Sequence, residues 1–419
     1  MEKNFWNYWG EKMSEQYMIS MTDVMEAEKI LRNVIKNTPM EHSRLFSELT
    51  GADVYLKLEN LQTTGSFKIR GAYNKIFHLL PEEKKNGVVA ASAGNHSQGV
   101  AYAARALNTK ATIFMPIFTP PIKVIATKYY GAEVQLYGYT YDDAYKKAIE
   151  YADKHQMSYI HAFNDPYIIA GQATIALEIF EKLKDVEAVV VPIGGGGLIS
   201  GIAFALKSLN NKIKIIGVEA EGAPSMKHSM EKGEIVPLKS ADTIADGIAV
   251  KIPGPLTFEM TRIYVDDIVT VNDEEIADAM YMLLTRNKLV AEPAGAVSLA
   301  AMLTGKVNLK GKKVVSIISG GNVDYTLLSQ IIYKGLMREK LLFKIKVKIM
   351  DKPGQLKKIL EFLSQKQINV IDIETDRISQ NLCAGMVFIT LTIQAVGIEN
   401  LNAIEEFMKQ EGIEFTLNF

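Results

Sequence analysis

From about residue 50 onward, short runs of consecutive apolar residues alternate with longer segments whose apolar positions recur at helical spacing. The short runs predict strands at 54–58, 88–91, 111–115, 133–136, 159–161, 188–192, 213–219, 268–271 and 314–318. Helix starts are readable between them. Thr119-Pro120-Pro121 and Asp165-Pro166 each place a capping residue before a proline suited to the first helical position. Asn272 and Glu275 have the spacing of a capping box, and an earlier helix is expected from Thr22 or Asp23. Strands without a polar face, separated by helices, argue for parallel sheets covered on both sides. Nine strands are many for one open sheet, so the pattern predicts an α/β chain of two lobes with a cleft between them.

Beyond residue 342 the rhythm changes. Phe343-Lys344-Ile345-Lys346-Val347-Lys348-Ile349 alternates strictly, as a strand with one wet face does. The turn Asp351-Lys352-Pro353-Gly354 leads into a helix at 355–366, followed by strands at 370–377 and 385–393, a helix at 400–410 and a strand at 413–417. That βαββαβ order is the ferredoxin-like split arrangement. The chain thus reads as an extension at 1–20, an α/β domain at 21–335, a linker at 336–342 and a separate domain at 343–419.

Composition narrows the partners. At 419 residues the chain exceeds one ordinary domain, and Lys+Arg of 47 against Asp+Glu of 48 leaves no basic excess for a phosphate backbone, so no nucleic-acid partner is expected. No apolar run has the length of a membrane span, and residues 1–20, with Trp6, Tyr8, Trp9 and several charges, lack the apolar centre of a signal peptide. The single cysteine, Cys383, permits neither an intrachain disulfide nor a Cys-based zinc site and fits a reducing cytoplasm.

Four stretches carry chemistry. The first is Leu61-Gln62-Thr63-Thr64-Gly65-Ser66-Phe67-Lys68-Ile69-Arg70-Gly71-Ala72, where a strand ends in a polar turn and Lys68 falls in the first turn of the next helix. A helix favours a cation at its other end, and Lys57, Arg70 and Lys75 lie close in sequence, so a lowered proton affinity is expected at Lys68. Schiff-base chemistry requires that, because only the neutral amine attacks a carbonyl. Taken alone, such a lysine reads as a solvated surface residue, and the other stretches decide the case.

The second stretch is Val191-Pro192-Ile193-Gly194-Gly195-Gly196-Gly197-Leu198, a strand end followed by glycines and a helical pattern. It closes neither the G-x-G-x-x-G fingerprint nor a Walker A loop. A small phosphate held by backbone amides at a helix start, or only a tight turn, remains. The third, Ser92-Ala93-Gly94-Asn95-His96, also links a strand to a helix. Its amides and the Ser92 hydroxyl suit a carboxylate, and Asn95 can donate to a phenolate-like oxygen. His96 has no partner at metal-ligand spacing and reads equally as a packing histidine. The fourth, Ser319-Gly320-Gly321-Asn322, ends a strand at the edge where open α/β sheets bind ligands. A phosphorylated aldehyde cofactor processing a small amino acid meets all four.

Together Ser66-Phe67-Lys68-Ile69-Arg70-Gly71-Ala72, Ser92-Ala93-Gly94-Asn95-His96, Gly194-Gly195-Gly196-Gly197-Leu198 and Ser319-Gly320-Gly321-Asn322 resemble the threonine dehydratases (threonine ammonia-lyases). These are fold-type-II, tryptophan synthase β-like, pyridoxal-phosphate enzymes. The resemblance covers about 21–335 and implies a small lobe at about 63–162 inserted in a large one. The tail, with its Asp-Lys-Pro-Gly turn, looks like an ACT-type regulatory domain. By position, the resemblance implies that Lys68 binds pyridoxal 5'-phosphate covalently with Phe67 against the ring, and that Asn95 bonds the ring hydroxyl. It implies that Gly194, Gly195, Gly196, Gly197 and Leu198 hold the phosphate, that Ser319 faces the pyridine nitrogen, and that Ser92 to His96 hold the substrate carboxylate. A hydroxyl there, unlike a carboxylate, does not enforce a protonated pyridine, which favours loss of a β-substituent over transamination. Glu292, in Ala291-Glu292-Pro293, is expected near the ring, with a helix cap as the alternative. Some relatives bind a divalent cation through a carboxylate and an acid six residues on. Here Glu219 is followed at that spacing by Ser225, so no metal is expected.

The implied activity is conversion of L-threonine to 2-oxobutanoate and ammonia, with serine giving pyruvate. The resemblance also extends to serine racemases and serine dehydratases. An amino-acid sensor that keeps the fold without chemistry is the reading from another class, and Lys68 argues against it. For the tail, isoleucine or valine is the expected effector, near the turn at 351–356, with two copies pairing across a homodimer or homotetramer.

Overall fold

The computed structural model describes residues 18–394 and 398–418, so most of the expected extension at 1–20 lies outside the described residues. The chain divides after Val323 into two units. In chain order the first runs α1 (Met21–Leu31), β1 (Met40–His42), α2 (Arg44–Thr50), β2 (Asp53–Leu58), α3 (Lys68–Phe77), α4 (Pro81–Asn86) and β3 (Val88–Ala91). It continues with α5 (Asn95–Ala106), β4 (Ala111–Met115), α6 (Pro121–Tyr129), β5 (Glu133–Leu136), α7 (Tyr141–His155), β6 (Ser158–Tyr159) and α8 (Pro166–Lys182). Then follow β7 (Ala188–Pro192), α9 (Gly197–Leu209), β8 (Lys214–Ala220), α10 (Ser225–Lys232), α11 (Pro255–Tyr264), β9 (Asp267–Val271), α12 (Asp273–Asn287), α13 (Pro293–Leu303) and β10 (Lys313–Ile318).

These strands form two sheets. The larger has the order β1-β2-β10-β7-β8-β9, parallel throughout except for β1, which runs antiparallel to β2. The smaller, β5-β4-β3-β6, is all parallel and is drawn from residues 88–159. The physical reason is visible in β3 and β7, every residue of which is buried. Strands covered by helices on both faces have no place for an alternating polar residue. Ile, Val and Leu from the larger sheet and its helices form one core, and a second core lies around the smaller sheet.

Two helix starts differ from expectation. The first begins at Met21, with Ser20 and Asp23 forming a capping box. The Thr119 hydroxyl caps nothing and is buried without a hydrogen-bond partner. The helix starts one residue later because Pro120 itself precedes a proline, which drives it to extended backbone, ψ 134°. Asp165 caps α8 and Asn272 caps α12 as the spacing predicts.

The second unit contains α14 (Tyr325–Arg338), β11 (Leu342–Met350), α15 (Gln355–Gln365), β12 (Asn369–Asp376), β13 (Met386–Gln394), α16 (Ile398–Gln410) and β14 (Glu414–Asn418). After α14 this is the βαββαβ order, closed as an antiparallel sheet β12-β13-β11-β14. The expected linker at 336–342 is instead the last turn of α14 and the first residue of β11, joined by a short turn. The change from helical to alternating pattern therefore marks the end of a helix and not the domain boundary, which comes earlier.

Candidate active site

Lys68 is the first residue of α3, capped by Phe67, whose ring centroid lies 5.1 Å from the lysine Nζ. The same Nζ donates to the carbonyl of Ala162 at 3.1 Å. Burial pushes its pKa down to about 8, and the nearby Glu292 carboxyl works against that shift. The lowered affinity expected from Lys57, Arg70 and Lys75 thus has a different cause. Each of those cations is paired with a carboxylate, Glu178 being shared by two of them. Lys57 pairs with Glu178, Lys75 with Asp165, and Arg70 forks onto both Glu59 and Glu178. Distant residues cancel the field that sequence neighbours were expected to supply, and desolvation remains.

That ion cluster also fixes the helix that bears Lys68. Arg70 donates to Glu59 at 2.8 Å through two nitrogens, and to Glu178 and Thr174 on α8 at 2.6 and 3.0 Å. The helices approach closely because a Cβ at Gly171 would lie 2.6 Å from the Cα of Gly71. The turn before α3 is stitched to the end of β10. Phe67 N donates to Ser319 O at 3.2 Å, Gly321 N donates to Gly65 O at 2.9 Å, and Ser66 bridges Gly320. Ser319 is thereby held beside the lysine turn. Its hydroxyl makes one long bond, 3.4 Å to Ala294 O, and so can turn to another acceptor.

Asn95 opens α5 between two partners. Its amide nitrogen donates to Glu292 at 2.5 Å, and its oxygen accepts from Asn322 at 2.7 Å. Glu292 precedes α13 but its side chain makes no capping bond. Burial, with Asp246 facing it, raises its pKa to about 7, and Asn95, Lys123 and Lys68 oppose the shift. Of the other loop residues, Ser92, Ala93 and Gly94 are half-buried, and a Cβ on Gly94 would meet open space. The His96 ring takes no part in the cleft. It is buried and its Nε2 donates to Ile160 O at 2.9 Å, while burial brings its pKa to about 3. Only its main chain remains for a carboxylate.

The glycine run turns sharply into α9. Gly196 has φ +95°, open to glycine at no steric cost, and the Thr257 hydroxyl donates to Gly195 O at 2.6 Å. A Cβ at Gly197 would stand 2.9 Å from the Cα of Phe163, so the loop has room for backbone alone on that side. Amides at a helix start have no partner inside the helix and are ready donors to an anion.

Sequence reasoning passed over His161 and Phe163. The Nδ1 of His161 accepts from the amides of Phe163 and Asn164 at 3.2 and 2.9 Å, so Nε2 carries the proton. Burial brings this ring to a pKa of about 4, and nearby Lys68 adds to the shift. His161 followed two residues later by an aromatic that packs under glycines was the signal available, and it has no strong local pattern. Glu219 was weighed as a metal ligand. In the structure it accepts from the amides of Met226 and Lys227, each at 2.8 Å, and so caps the start of α10.

A half-buried amine that is easily neutral, a run of helix-start amides beside glycines, a nearly free hydroxyl and an open loop form a donor set that fits pyridoxal phosphate. Lys68 would hold its aldehyde, the glycine loop its phosphate and Ser319 its ring nitrogen. Residues 31–320 match the family described as pyridoxal-phosphate dependent enzyme. An L-threonine ammonia-lyase of Thermotoga maritima is 49% identical over 397 residues, covering 95% of this chain and 99% of that one. The processed form of threonine deaminase isoform 2 from Solanum lycopersicum has a TM-score of 0.71 at 40% identity, covering 74% of this chain and 91% of its own. A serine racemase of maize has a TM-score of 0.73 at 36% identity, covering 77% of this chain and 100% of its own. A family match across most of the chain, and a relative similar along its whole length, place this chain in the fold-type-II pyridoxal-phosphate-dependent enzymes, within the threonine ammonia-lyase family.

Proposed function

We propose that the chain converts L-threonine to 2-oxobutanoate and ammonia, and L-serine more slowly to pyruvate. The observation that carries this is Lys68, an amine held by burial near a pKa of about 8, on a helix tied to the strand end that bears Ser319. Bound pyridoxal phosphate supplies an electron sink that makes the substrate Cα–H acidic. The Lys68 amine, which burial lets shed its proton far more readily than an exposed lysine does, takes the Cα proton. The amides at 93–96 and the Ser92 hydroxyl hold the substrate carboxylate and so fix which Cα substituent faces Lys68. Asn95, braced between Glu292 and Asn322, keeps its amide aligned with the ring hydroxyl.

Racemisation needs a second base on the opposite face. In the carboxylate loop Ala93 and Gly94 carry none and the Ser92 hydroxyl is assigned to the carboxylate, the His96 ring is committed to Ile160, the His161 Nδ1 to two amides, and Glu292 to Asn95. This favours elimination over the racemase reading that likeness to the maize enzyme would permit. The test is turnover of L-threonine, L-serine and D-serine by the purified, cofactor-loaded chain. 2-Oxobutanoate and ammonia from L-threonine in equal amounts are expected. D-serine formed from L-serine faster than any 2-oxo acid would overturn the reading.

The second unit is read as an ACT-type sensor of isoleucine or valine, bound near the turn at 351–356 and paired between subunits of a homodimer or homotetramer. Asp351 at that turn is held by Arg377 at 2.7 Å, and β12 has a free edge with Ile371 and Ile373 exposed, which supports strand-edge pairing. A cytoplasmic setting rests on the lone Cys383.

A further inference from the structure

The smaller sheet's helix α6 reaches across to the larger lobe through an ion pair, Lys123 with Asp246. Asp246 opens the helical turn Asp246–Ile248, which lies between β8 and β9. Each partner is wired to a different half of the site. On the α6 side, the carbonyl of Lys123 accepts from the Thr127 hydroxyl at 3.0 Å, which lies 3.0 Å from the Ser97 hydroxyl. The Ser97 hydroxyl also lies 2.5 Å from the carbonyl of Gly94, inside the loop expected to hold the substrate carboxylate, and the two hydroxyl protons serve two of these three contacts at a time. On the other side, Ile248 packs so closely on the glycine run that a Cβ at Gly194 would lie 3.0 Å from its Cα. Gly247 sits against Ala294 and within reach of Glu292, where an added Cβ would be 3.0 and 3.8 Å away.

We propose that Lys123 and Asp246 are positioning residues: their ion pair latches the small lobe over the cleft and sets the distance between the carboxylate loop and the glycine loop. The pair acts through Ser97 and Thr127 on one side and through the 246–248 turn on the other. It is also poised to open, since the Asp246 side chain is 60% exposed while that of Lys123 is 16% exposed. A half-wet pair can break and re-form as substrate enters and product leaves, where a buried one would not. The two charges cancel beside Glu292, which would otherwise face an unpaired Asp246.

The experiment compares the cofactor-loaded wild type with Lys123→Ala, Asp246→Ala and the charge exchange that combines Lys123→Asp with Asp246→Lys. The substrate is L-threonine, so the kinetic arm rests on the lyase reading. The exchange arm does not, because it follows hydrogen exchange of amides at 117–131 and 245–250 without substrate. The latch predicts that each single variant raises KM about five- to twentyfold while kcat changes about twofold or less. It predicts faster exchange in both segments, with KM and exchange both largely restored in the charge exchange. Raising NaCl from low to about 0.5 M should narrow the gap between wild type and single variants. Single variants with wild-type KM and wild-type exchange overturn the latch, as does a charge exchange no better than the worse single variant. A wild type that never turns over threonine overturns the lyase reading, and the exchange arm then decides the latch alone.

Discussion

At the scale of single residues, the proposed chemistry rests on one amine that loses its proton easily. With a pKa of about 8, protonated Lys68 dominates below that value and the free amine above it. Uptake of pyridoxal phosphate by the apo-protein should therefore accelerate as pH rises from 6.5 and level off above about 8.5, as read from the rate of absorbance growth in stopped flow. A rate that is flat across that range would remove burial as the tuning force. Lys68→Ala should lower threonine turnover by at least about a thousandfold with the fold intact by circular dichroism. The position of Lys68 at a helix start was legible in the order Gly65-Ser66-Phe67-Lys68. The reason for its lowered affinity was not, because Glu178 and Asp165, which cancel the neighbouring cations, lie about a hundred residues away in the chain. The brace on Asn95 was equally hidden, since Glu292 and Asn322 reach it from across the fold.

Helices and strands tell a more favourable story. The strands at 88–91, 111–115 and 188–192 stand where apolar runs put them, because a strand buried on both faces has little room for polar side chains, while 133–136 is a half-exposed edge strand. What escaped was β1, whose Met-Glu-His offers neither alternation nor a run, and which exists only by pairing with β2. The attachment of α3 to α8 was also unreadable, although it decides where Lys68 sits. Removing one partner of its buried ion cluster leaves charge without compensation, so Arg70→Ala should cost about 3–5 kcal/mol of stability by denaturant titration. Glu219→Ala strips two amides of α10 of their acceptor. It should cost about 1–3 kcal/mol by the same measurement, with no dependence on added divalent metal.

For the whole molecule, the two lobes followed from the number of apolar strands and the antiparallel sheet from the change of hydrophobic period, whereas the division after Val323 did not, because α14 carries the same helical pattern as the helices before it. If the second unit is a sensor, calorimetric titration of the full chain with isoleucine and with valine should give saturable heat for at least one of them, and flat traces for both would remove the effector role. Among the described residues, one buried apolar cluster of that unit is drawn from within its own sheet and two helices, Phe343 to Met408. A core that closes on itself is portable. Such a module can be lost, gained or transplanted onto an unrelated enzyme without unfolding either piece, which leaves control of the reaction free to evolve apart from the reaction itself.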